Sequence, residues 1–172
     1  EKTGIAADIV INVQGDEPFV DPSQIMTLCQ CFEQTNTDIA TLVKPFTPDM
    51  GIEALKNPNS PKVVLDSHQR ALYFSRSVIP YLRGVEEKDW LVQHTFYKHI
   101  GLYAFRRDVL KQITSLPQGV LEHAESLEQL RWLENGYCIR VGITDVETIG
   151  IDTPEDLQRA ADFLRQQAQK NS

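Results

Sequence analysis

Two aspartates stand where a divalent metal ion could be bound. Asp16 follows Gly15 directly after residues 8–14, a β-branched run typical of a buried strand, and Asp152 stands immediately before a well-capped helix. Ligands of open α/β sheets bind beyond the carboxyl ends of the strands, and Mg²⁺ is commonly held by carboxylates together with phosphate oxygens. The residue types leave a second interpretation open: a solvated turn for Asp16, and an acid that stabilises the helix dipole for Asp152.

Polar residues between these aspartates could bind a substrate that carries hydroxyls and a carboxylate. Arg76 follows a predicted hairpin strand, and a guanidinium pairs well with a carboxylate. His99 and Tyr103 are four residues apart in a predicted strand, so both side chains face the same way and could reach one polyol. Glu128 and Gln129 lie in a predicted helix. Taken one at a time, these residues are better explained as an exposed arginine, a satisfied histidine and a wet helix surface.

Strands and helices alternate in the elements that must position these residues. Asp21 and Pro22 open one helix with a capping pattern, and the spacing of three leucines predicts another helix over residues 121–134. Apolar runs predict strands, two of which form a hairpin, and these cover residues 8–14, 38–43, 62–65, 71–74, 99–105 and 139–143. We therefore expect a single α/β domain over residues 1–172, with a mostly parallel three-layer sheet and an inserted antiparallel hairpin.

The composition excludes several classes of partner. The net charge of -7, with 17 scattered lysines and arginines, argues against binding to nucleic acid, and a phosphorylated ligand would need bound cations. No apolar run approaches the roughly 20 residues that cross a bilayer, and no charged-then-apolar leader opens the chain. The three cysteines have no ligand-like spacing and are expected to be buried or half-buried thiols. We expect a soluble, cytoplasmic protein that binds neither nucleic acid nor membranes.

Five segments of the chain resemble those of one enzyme family. They occur in the family's order, cover nearly the whole chain, and are Val-Gln-Gly-Asp-Glu-Pro at 13–18, Ala-Leu-Tyr-Phe-Ser-Arg at 71–76, Lys-His-Ile-Gly-Leu-Tyr-Ala-Phe at 98–105, Leu-Glu-Gln-Leu-Arg at 127–131 and Gly-Ile-Asp-Thr-Pro-Glu-Asp-Leu at 150–157. Together they closely resemble the CMP-Kdo synthetases, which are 3-deoxy-manno-octulosonate (Kdo) cytidylyltransferases.

The resemblance implies a fold of the nucleotide-diphospho-sugar transferase type and a homodimeric, Mg²⁺-dependent enzyme. Such an enzyme transfers CMP from CTP to Kdo, releases pyrophosphate and serves lipopolysaccharide biosynthesis. By the same resemblance, Asp16 and Asp152 bind the metal and act in catalysis. The residues expected to bind Kdo are Gln14, Arg76, His99, Tyr103, Glu128 and Gln129, with Arg76 suited to the carboxylate of the sugar and the others to its hydroxyls.

The resemblance covers the C-terminal two-thirds of the family's chain. In the family, a glycine-rich segment that wraps the triphosphate of CTP comes before this region, and residues 1–172 contain no counterpart of it. We therefore expect the domain to be incomplete at its N-terminus, and this chain by itself to have little or no cytidylyltransferase activity. Two alternatives stay open: a noncatalytic sugar-binding or dimerisation module derived from such an enzyme, and a sialic acid cytidylyltransferase. The segments at 98–105 and 127–131 favour the Kdo enzyme over the sialic acid enzyme.

Overall fold

The strands of the molecule form one mixed sheet. A computed structural model describes residues 7–13 and 20–146. In these residues the sheet has six strands. Five of them follow the order β4-β3-β5-β2-β6, and the sixth, β1, pairs with β5. The strands are β1 (Ile9–Asn12), β2 (Ile39–Pro45), β3 (Lys62–Leu65), β4 (Ala71–Ser75), β5 (Tyr97–Arg106) and β6 (Ile139–Ile143).

The helices are short, and along the chain they lie between the strands. The α-helices are α1 (Pro22–Gln30), α2 (Gly51–Lys56), α3 (Trp90–Gln93), α4 (Arg107–Ile113), α5 (Val120–Glu125) and α6 (Gln129–Glu134), and single 3₁₀ turns span Cys31–Glu33, Pro48–Met50 and Glu87–Asp89. The predicted capping pattern of α1 is confirmed, because the Asp21 carboxylate accepts from Ser23 N at 2.8 Å and the Gln24 side chain accepts from Asp21 N at 3.2 Å. No helix among the described residues is long and apolar enough to cross a bilayer.

The direction of the strands corrects the prediction of a mostly parallel sheet. Only the β2–β6 pair is parallel among the described strands, whereas β5 is antiparallel to β1, β2 and β3. The predicted hairpin is confirmed as the antiparallel β3–β4 pair. The prediction was wrong because apolar periodicity reports which face of a strand is buried but carries no information about its direction. The α/β class itself is confirmed.

The predicted helix over residues 121–134 is two helices. Ser126 adopts a left-handed conformation with φ of 52°, and it ends α5 three residues before α6 begins. The reversal brings Glu122 of α5 against Arg131 of α6, where two carboxylate–guanidinium bonds of 2.6 Å join them. The break also places Glu128 and Gln129 at the start of a helix rather than in the middle of one.

Apolar side chains cover both faces of the sheet, so the three-layer arrangement is confirmed. One face packs beneath α6 and the β3–β4 hairpin, and its core includes Ile39, Val43, Phe74, Phe105, Leu130, Trp132, Ile139 and Val141. The other face packs against α1, and its core includes Leu28, Phe32, Ala40, Leu42, Ile100, Leu102 and Ala104. Cys31 is buried and Cys138 half-buried, as expected, but Cys29 is exposed.

Candidate functional site

A local irregularity in the pairing of β5 with β2 lies among the residues of the candidate site. Thr41 of β2 pairs with Tyr103, whereas the next residue, Leu42, pairs with Ile100, so two residues of β5 have no counterpart on β2. An insertion of two residues preserves the period of a strand, and His99, Tyr103 and Thr41 therefore face the same side of the sheet. The ring centroids of His99 and Tyr103 lie 5.4 Å apart. The prediction that these two residues share a face is confirmed.

His99 is held as a neutral ring. Its Nε2 lies 3.0 Å from the hydroxyl of Thr41, and its ring packs edge-on against Phe74 at 5.2 Å between centroids. Burial lowers the pKa of His99 to about 3, because the charged imidazolium would lose its hydration. A neutral imidazole has one donor nitrogen and one acceptor nitrogen, and it can therefore pair with a hydroxyl.

Tyr103 is buried, and its hydroxyl, which lies near the hydroxyl of Thr41, makes no hydrogen bond of good geometry among the described residues. The ring packs against Trp132 of α6 at 5.1 Å between centroids and stacks on Phe105 at 5.9 Å. Burial, and then the nearby carboxylate of Glu128, raise the pKa of Tyr103 well above its usual value. The hydroxyl therefore keeps its proton and can donate it to a ligand.

The first turn of α6 brings two more polar residues to this place. Gln129 is buried and its Nε2 has no hydrogen-bond partner among the described residues, while Glu128 is exposed and lies 3.5 Å from Arg131 Nη2. Gln129 and Trp132 are three apart on one helical face, and Trp132 contacts Tyr103. Tyr103, Glu128 and Trp132 line a cavity of about 390 Å³ together with Asn12 of β1. We call His99, Tyr103, Glu128 and Gln129 the β5–α6 cluster.

Arg76, like His99 and Gln129, does not line this cavity, and it belongs to a second group of polar residues. Its guanidinium donates to three backbone carbonyls: Nε to Glu125 O at 2.6 Å, Nη1 to Pro58 O at 2.9 Å and Nη2 to Ser126 O at 3.1 Å. A guanidinium has five N–H donors, so these bonds leave two of them. Sequence reasoning did not anticipate that Arg76 would be engaged with the backbone.

The neighbours of Arg76 form a hydrogen-bonded network. The carboxylate of Glu125 accepts from Ser75 Oγ at 2.7 Å and from Arg76 N at 2.9 Å. Lys62 is completely buried, and its Nζ donates to Arg76 O at 2.6 Å and to Asn57 O at 3.0 Å. Burial lowers the pKa of Lys62. We call Lys62, Ser75, Arg76 and Glu125 the hairpin-end cluster, because all four lie where β3 begins, β4 ends or α5 ends.

Gln14, Asp16 and Asp152 lie outside the described residues. The described chain that leads to them comes to one edge of the sheet, since β1, β2 and β6 run in the same direction. On this edge Gln24 Nε2, near the start of α1, donates to Val146 O at 3.3 Å. Residues 7–13 and 20–146 contain no group of three His, Cys, Asp or Glu side chains that could hold a metal ion.

Three residues with polar roles were missed from the sequence: Thr41, Lys62 and Glu125. Thr41 is the single hydroxyl in an otherwise apolar strand run, which is a weak signal because threonine is common in strands. Lys62 opens β3, where a lysine is ordinarily expected in solvent. Neither position could be distinguished from an ordinary strand residue without knowledge of its distant partners.

Several known proteins are similar to this chain in sequence. The 3-deoxy-manno-octulosonate cytidylyltransferase of Phocaeicola vulgatus is 66% identical over 165 residues, which cover 96% of this chain and 66% of that protein. The enzyme of the same name from Porphyromonas gingivalis is 60% identical and covers 97% of this chain and 66% of its own length. The chain thus spans slightly less than two thirds of the length of these relatives.

The structure of a CMP:2-keto-3-deoxy-manno-octonic acid synthetase complexed with CTP matches with a TM-score of 0.82 and 39% identity, over 95% of this chain and 64% of that one. The expected fold of the nucleotide-diphospho-sugar transferase type is confirmed by this match. A family model described as Cytidylyltransferase matches residues 1–149. The chain therefore belongs to the cytidylyltransferase family.

Proposed function

We propose that this chain forms the sugar-binding and metal-binding part of a 3-deoxy-manno-octulosonate cytidylyltransferase. The whole enzyme transfers CMP from CTP to Kdo, releases pyrophosphate and supplies activated sugar for lipopolysaccharide synthesis. The names of the relatives support the substrate pair, and identities of up to 66% support a shared site. The β5–α6 cluster carries the proposal, because two of its buried polar atoms have no partner among the described residues.

Burying these two polar atoms costs free energy unless a ligand forms hydrogen bonds with them. A buried donor or acceptor without a hydrogen bond costs about 1–3 kcal/mol, so native proteins contain few of them. Tyr103 Oη and Gln129 Nε2 lie on elements that are in direct contact through Trp132. A sugar with several hydroxyls could satisfy both atoms at once. The cost is therefore consistent with a site that is built to be filled.

Each cluster has a proposed role toward Kdo. Tyr103, His99, Glu128 and Gln129 bind its hydroxyls, and the cavity beside Tyr103 and Glu128 accommodates the sugar. Arg76 holds the carboxylate with the two N–H groups that its carbonyl bonds leave, and those bonds fix the plane of the guanidinium in advance. Gln14, two residues beyond the end of β1, completes the sugar site.

Asp16 and Asp152 are proposed to hold Mg²⁺. Carboxylates are the hard oxygen ligands that Mg²⁺ prefers, and the described residues that lead to both aspartates lie at one edge of the sheet. When bound, the metal would lower the pKa of the attacking hydroxyl and neutralise charge on the phosphates. Asp16→Asn in the complete protein is expected to abolish metal-dependent turnover while the fold is retained.

In the proposed reaction, the anomeric 2-hydroxyl oxygen of Kdo forms a bond to the α-phosphorus of CTP. The bond between that phosphorus and the bridging oxygen breaks, the hydroxyl proton is released, and pyrophosphate leaves. The residues of this chain contribute by positioning, since holding two reactants in line accounts for a large part of such accelerations. Burial lowers the pKa of His99 to about 3, so the ring is neutral near pH 7, and its proposed role is to hydrogen-bond a hydroxyl of Kdo.

We also propose a cytoplasmic homodimer, as the family resemblance implies. CTP is a cytoplasmic metabolite, and the three cysteines are unpaired thiols, which persist in a reducing compartment. Leu72 on the edge strand β4 is 61% exposed and Tyr81 is 74% exposed, which leaves apolar surface for a second copy. Light scattering is expected to give twice the mass of the chain, and a monomer at high concentration would contradict the dimer.

The test compares binding and turnover. Kdo binding to the chain is measured by calorimetry, and pyrophosphate release with CTP, Kdo and Mg²⁺ is measured in the chain and in a version extended to the length of its relatives. We expect the chain to bind Kdo with little or no turnover, and the extended version to be active with Kdo. Tyr103→Phe should weaken binding, whereas Tyr137→Phe, which loses only the bond to Gln112, should not. Turnover with a sialic acid but not with Kdo would contradict the proposal.

A further inference from the structure

The hydroxyl of Thr41 is in contact with one nitrogen of the His99 ring and with two backbone carbonyls. Thr41 Oγ1 lies 2.9 Å from Leu102 O, 3.2 Å from Ile100 O and 3.0 Å from His99 Nε2. A hydroxyl has one proton to donate, and carbonyl oxygens can only accept. The proton of Thr41 therefore points to the two carbonyls, and His99 Nε2 must be the donor in the third contact.

We infer that Thr41 is a positioning residue that fixes His99 as the Nε2–H tautomer and so presents Nδ1 as a hydrogen-bond acceptor. In the neutral ring, a proton on one nitrogen leaves the other with a lone pair. The identity of the ligand that it meets rests on the proposed function, whereas the tautomer rests on the three distances alone.

The surroundings keep this arrangement in place. Thr41 is completely buried, and the two carbonyls it binds belong to the irregular part of β5, where Gly101 and Leu102 have no counterpart on β2. The ring of His99 is held between Phe74 and Tyr103, and its backbone N donates to Pro61 O at 2.9 Å. The single oxygen Thr41 Oγ1 thus hydrogen-bonds the carbonyls of Ile100 and Leu102 and also orients the ring of His99.

The consequence is a defined polarity for ligand recognition. Nδ1 can accept a hydrogen bond from a hydroxyl. It cannot donate a hydrogen bond to a carboxylate or phosphate oxygen, and such oxygens have no proton to donate to it. Tyr103, whose ring centroid lies 5.4 Å from that of His99, supplies a donor on the same face of β5. His99 therefore selects for a hydroxyl of the sugar, and the anionic groups of the substrates must be bound elsewhere.

The tautomer is tested without substrate in the protein extended to the length of its relatives. Long-range ¹H–¹⁵N spectra of ¹⁵N-histidine-labelled protein distinguish Nε2–H from Nδ1–H. We expect His99 to give the Nε2–H pattern in the wild type and in Thr41→Ser, and to lose it in Thr41→Val, which removes the hydroxyl and keeps the shape. A wild-type spectrum with the proton on Nδ1 would overturn the inference, whether or not the valine variant folds.

The role toward the ligand is tested by steady-state kinetics in the same proteins. Thr41→Val is expected to raise the KM for Kdo about five- to tenfold, the loss of one hydrogen bond, with the KM for CTP nearly unchanged. Thr41→Ser should restore the wild-type KM. Thr37→Val is the matched control, because it removes another buried hydroxyl, bonded to Cys31 O at 2.7 Å, away from the β5–α6 cluster.

Two results separate this inference from the proposed function. An unchanged KM for Kdo in Thr41→Val would overturn the positioning role, even if the enzyme used Kdo. An enzyme that did not use Kdo, but whose His99 gave the expected spectrum, would overturn the proposed function and leave the tautomer assignment standing.

Discussion

The hairpin-end cluster and the β5–α6 cluster both contain buried polar residues, and they differ in how far their polar atoms are paired. In the hairpin-end cluster, Lys62 Nζ, the Glu125 carboxylate and the Arg76 guanidinium all have protein partners at 3.1 Å or less. In the β5–α6 cluster, Tyr103 Oη and Gln129 Nε2 are buried with none among the described residues. The first cluster is expected to stabilise the fold, and the second to reserve its hydrogen bonds for a ligand.

Arg76 shows why the difference matters. Its residue type suggested a carboxylate partner, yet most of its donors hold the loop before β3 and the end of α5 together. A substitution there would change stability and binding at the same time, and so would not isolate either role. Better tests substitute residues that belong to only one of the two functions.

The largest expected effect is on stability and comes from Lys62→Met. Methionine keeps the apolar stem but removes the Lys62 donor from the carbonyl of Arg76, whereas the carbonyl of Asn57 still accepts from Ser60 N at 3.1 Å. We expect the free energy of unfolding to fall by about 1–3 kcal/mol, the cost of one unpaired group, measured from the midpoint of urea denaturation at constant slope.

Lys56→Met is the matched control for that substitution. Lys56 forms an exposed ion pair with Glu87, and such pairs contribute little to stability because solvent screens the two charges. The control should therefore leave the denaturation midpoint nearly unchanged. Equal shifts in the two variants would show that the buried network contributes nothing special to the fold.

A smaller effect is expected in the pH dependence of stability, and it arises from His99. The folded protein keeps His99 neutral down to its pKa of about 3, whereas the unfolded chain takes up the proton near 6.5. The stabilising contribution is therefore complete above pH 6.5 and is lost as the pH falls toward 3. Between pH 6.5 and 5 the loss should be about 1.5–2 kcal/mol.

Urea denaturation at a series of pH values checks this expectation. His99→Asn should show a shallower fall in the free energy of unfolding between pH 6.5 and 5 than the wild type. In the same window, the affinity of the wild type for Kdo should lack a histidine titration at this site, because His99 stays neutral. An identical slope in both proteins would mean that His99 titrates as freely when folded as when unfolded.

The smallest effect on stability is expected for Tyr103→Phe, and its sign is the informative part. Removing a buried hydroxyl that has no partner should leave stability unchanged or raise it by up to about 1 kcal/mol, because the desolvation cost disappears. Kdo affinity should nevertheless fall about five- to tenfold. A substitution that stabilises the fold while it weakens binding identifies a group kept for the ligand.

Calorimetry and urea denaturation of the same preparations give both quantities. In Tyr137→Phe the lost hydroxyl has a partner, Gln112 Oε1 at 3.1 Å, so a small loss of stability with unchanged Kdo binding is expected. If Tyr103→Phe lost stability and kept its affinity, the β5–α6 cluster would be structural like the hairpin-end cluster.

Local features of the fold could be predicted from the sequence because neighbouring residues determine them. The cap of α1 depends on Asp21 and Gln24, three residues apart, and the β3–β4 hairpin depends on two apolar runs with a polar turn between them. The common face of His99 and Tyr103 follows from a period of two, which the two-residue irregularity of β5 happens to preserve. The family resemblance rested on equally local segments.

Features that depend on distant partners required the tertiary structure. The direction of β5 is seen only in its pairing with β2, and the break at Ser126 is seen together with the pairing of Glu122 and Arg131 across the reversal. The role of Thr41 appears only when β5 brings His99 and two carbonyls to its hydroxyl, about 60 residues further along the chain. The sequence by itself determined which residues are able to bind a sugar, since that is a property of side-chain type. Only the tertiary structure decided which of them are already bonded to the protein, because hydrogen bonds require partners within about 3 Å and those partners come from remote strands and helices.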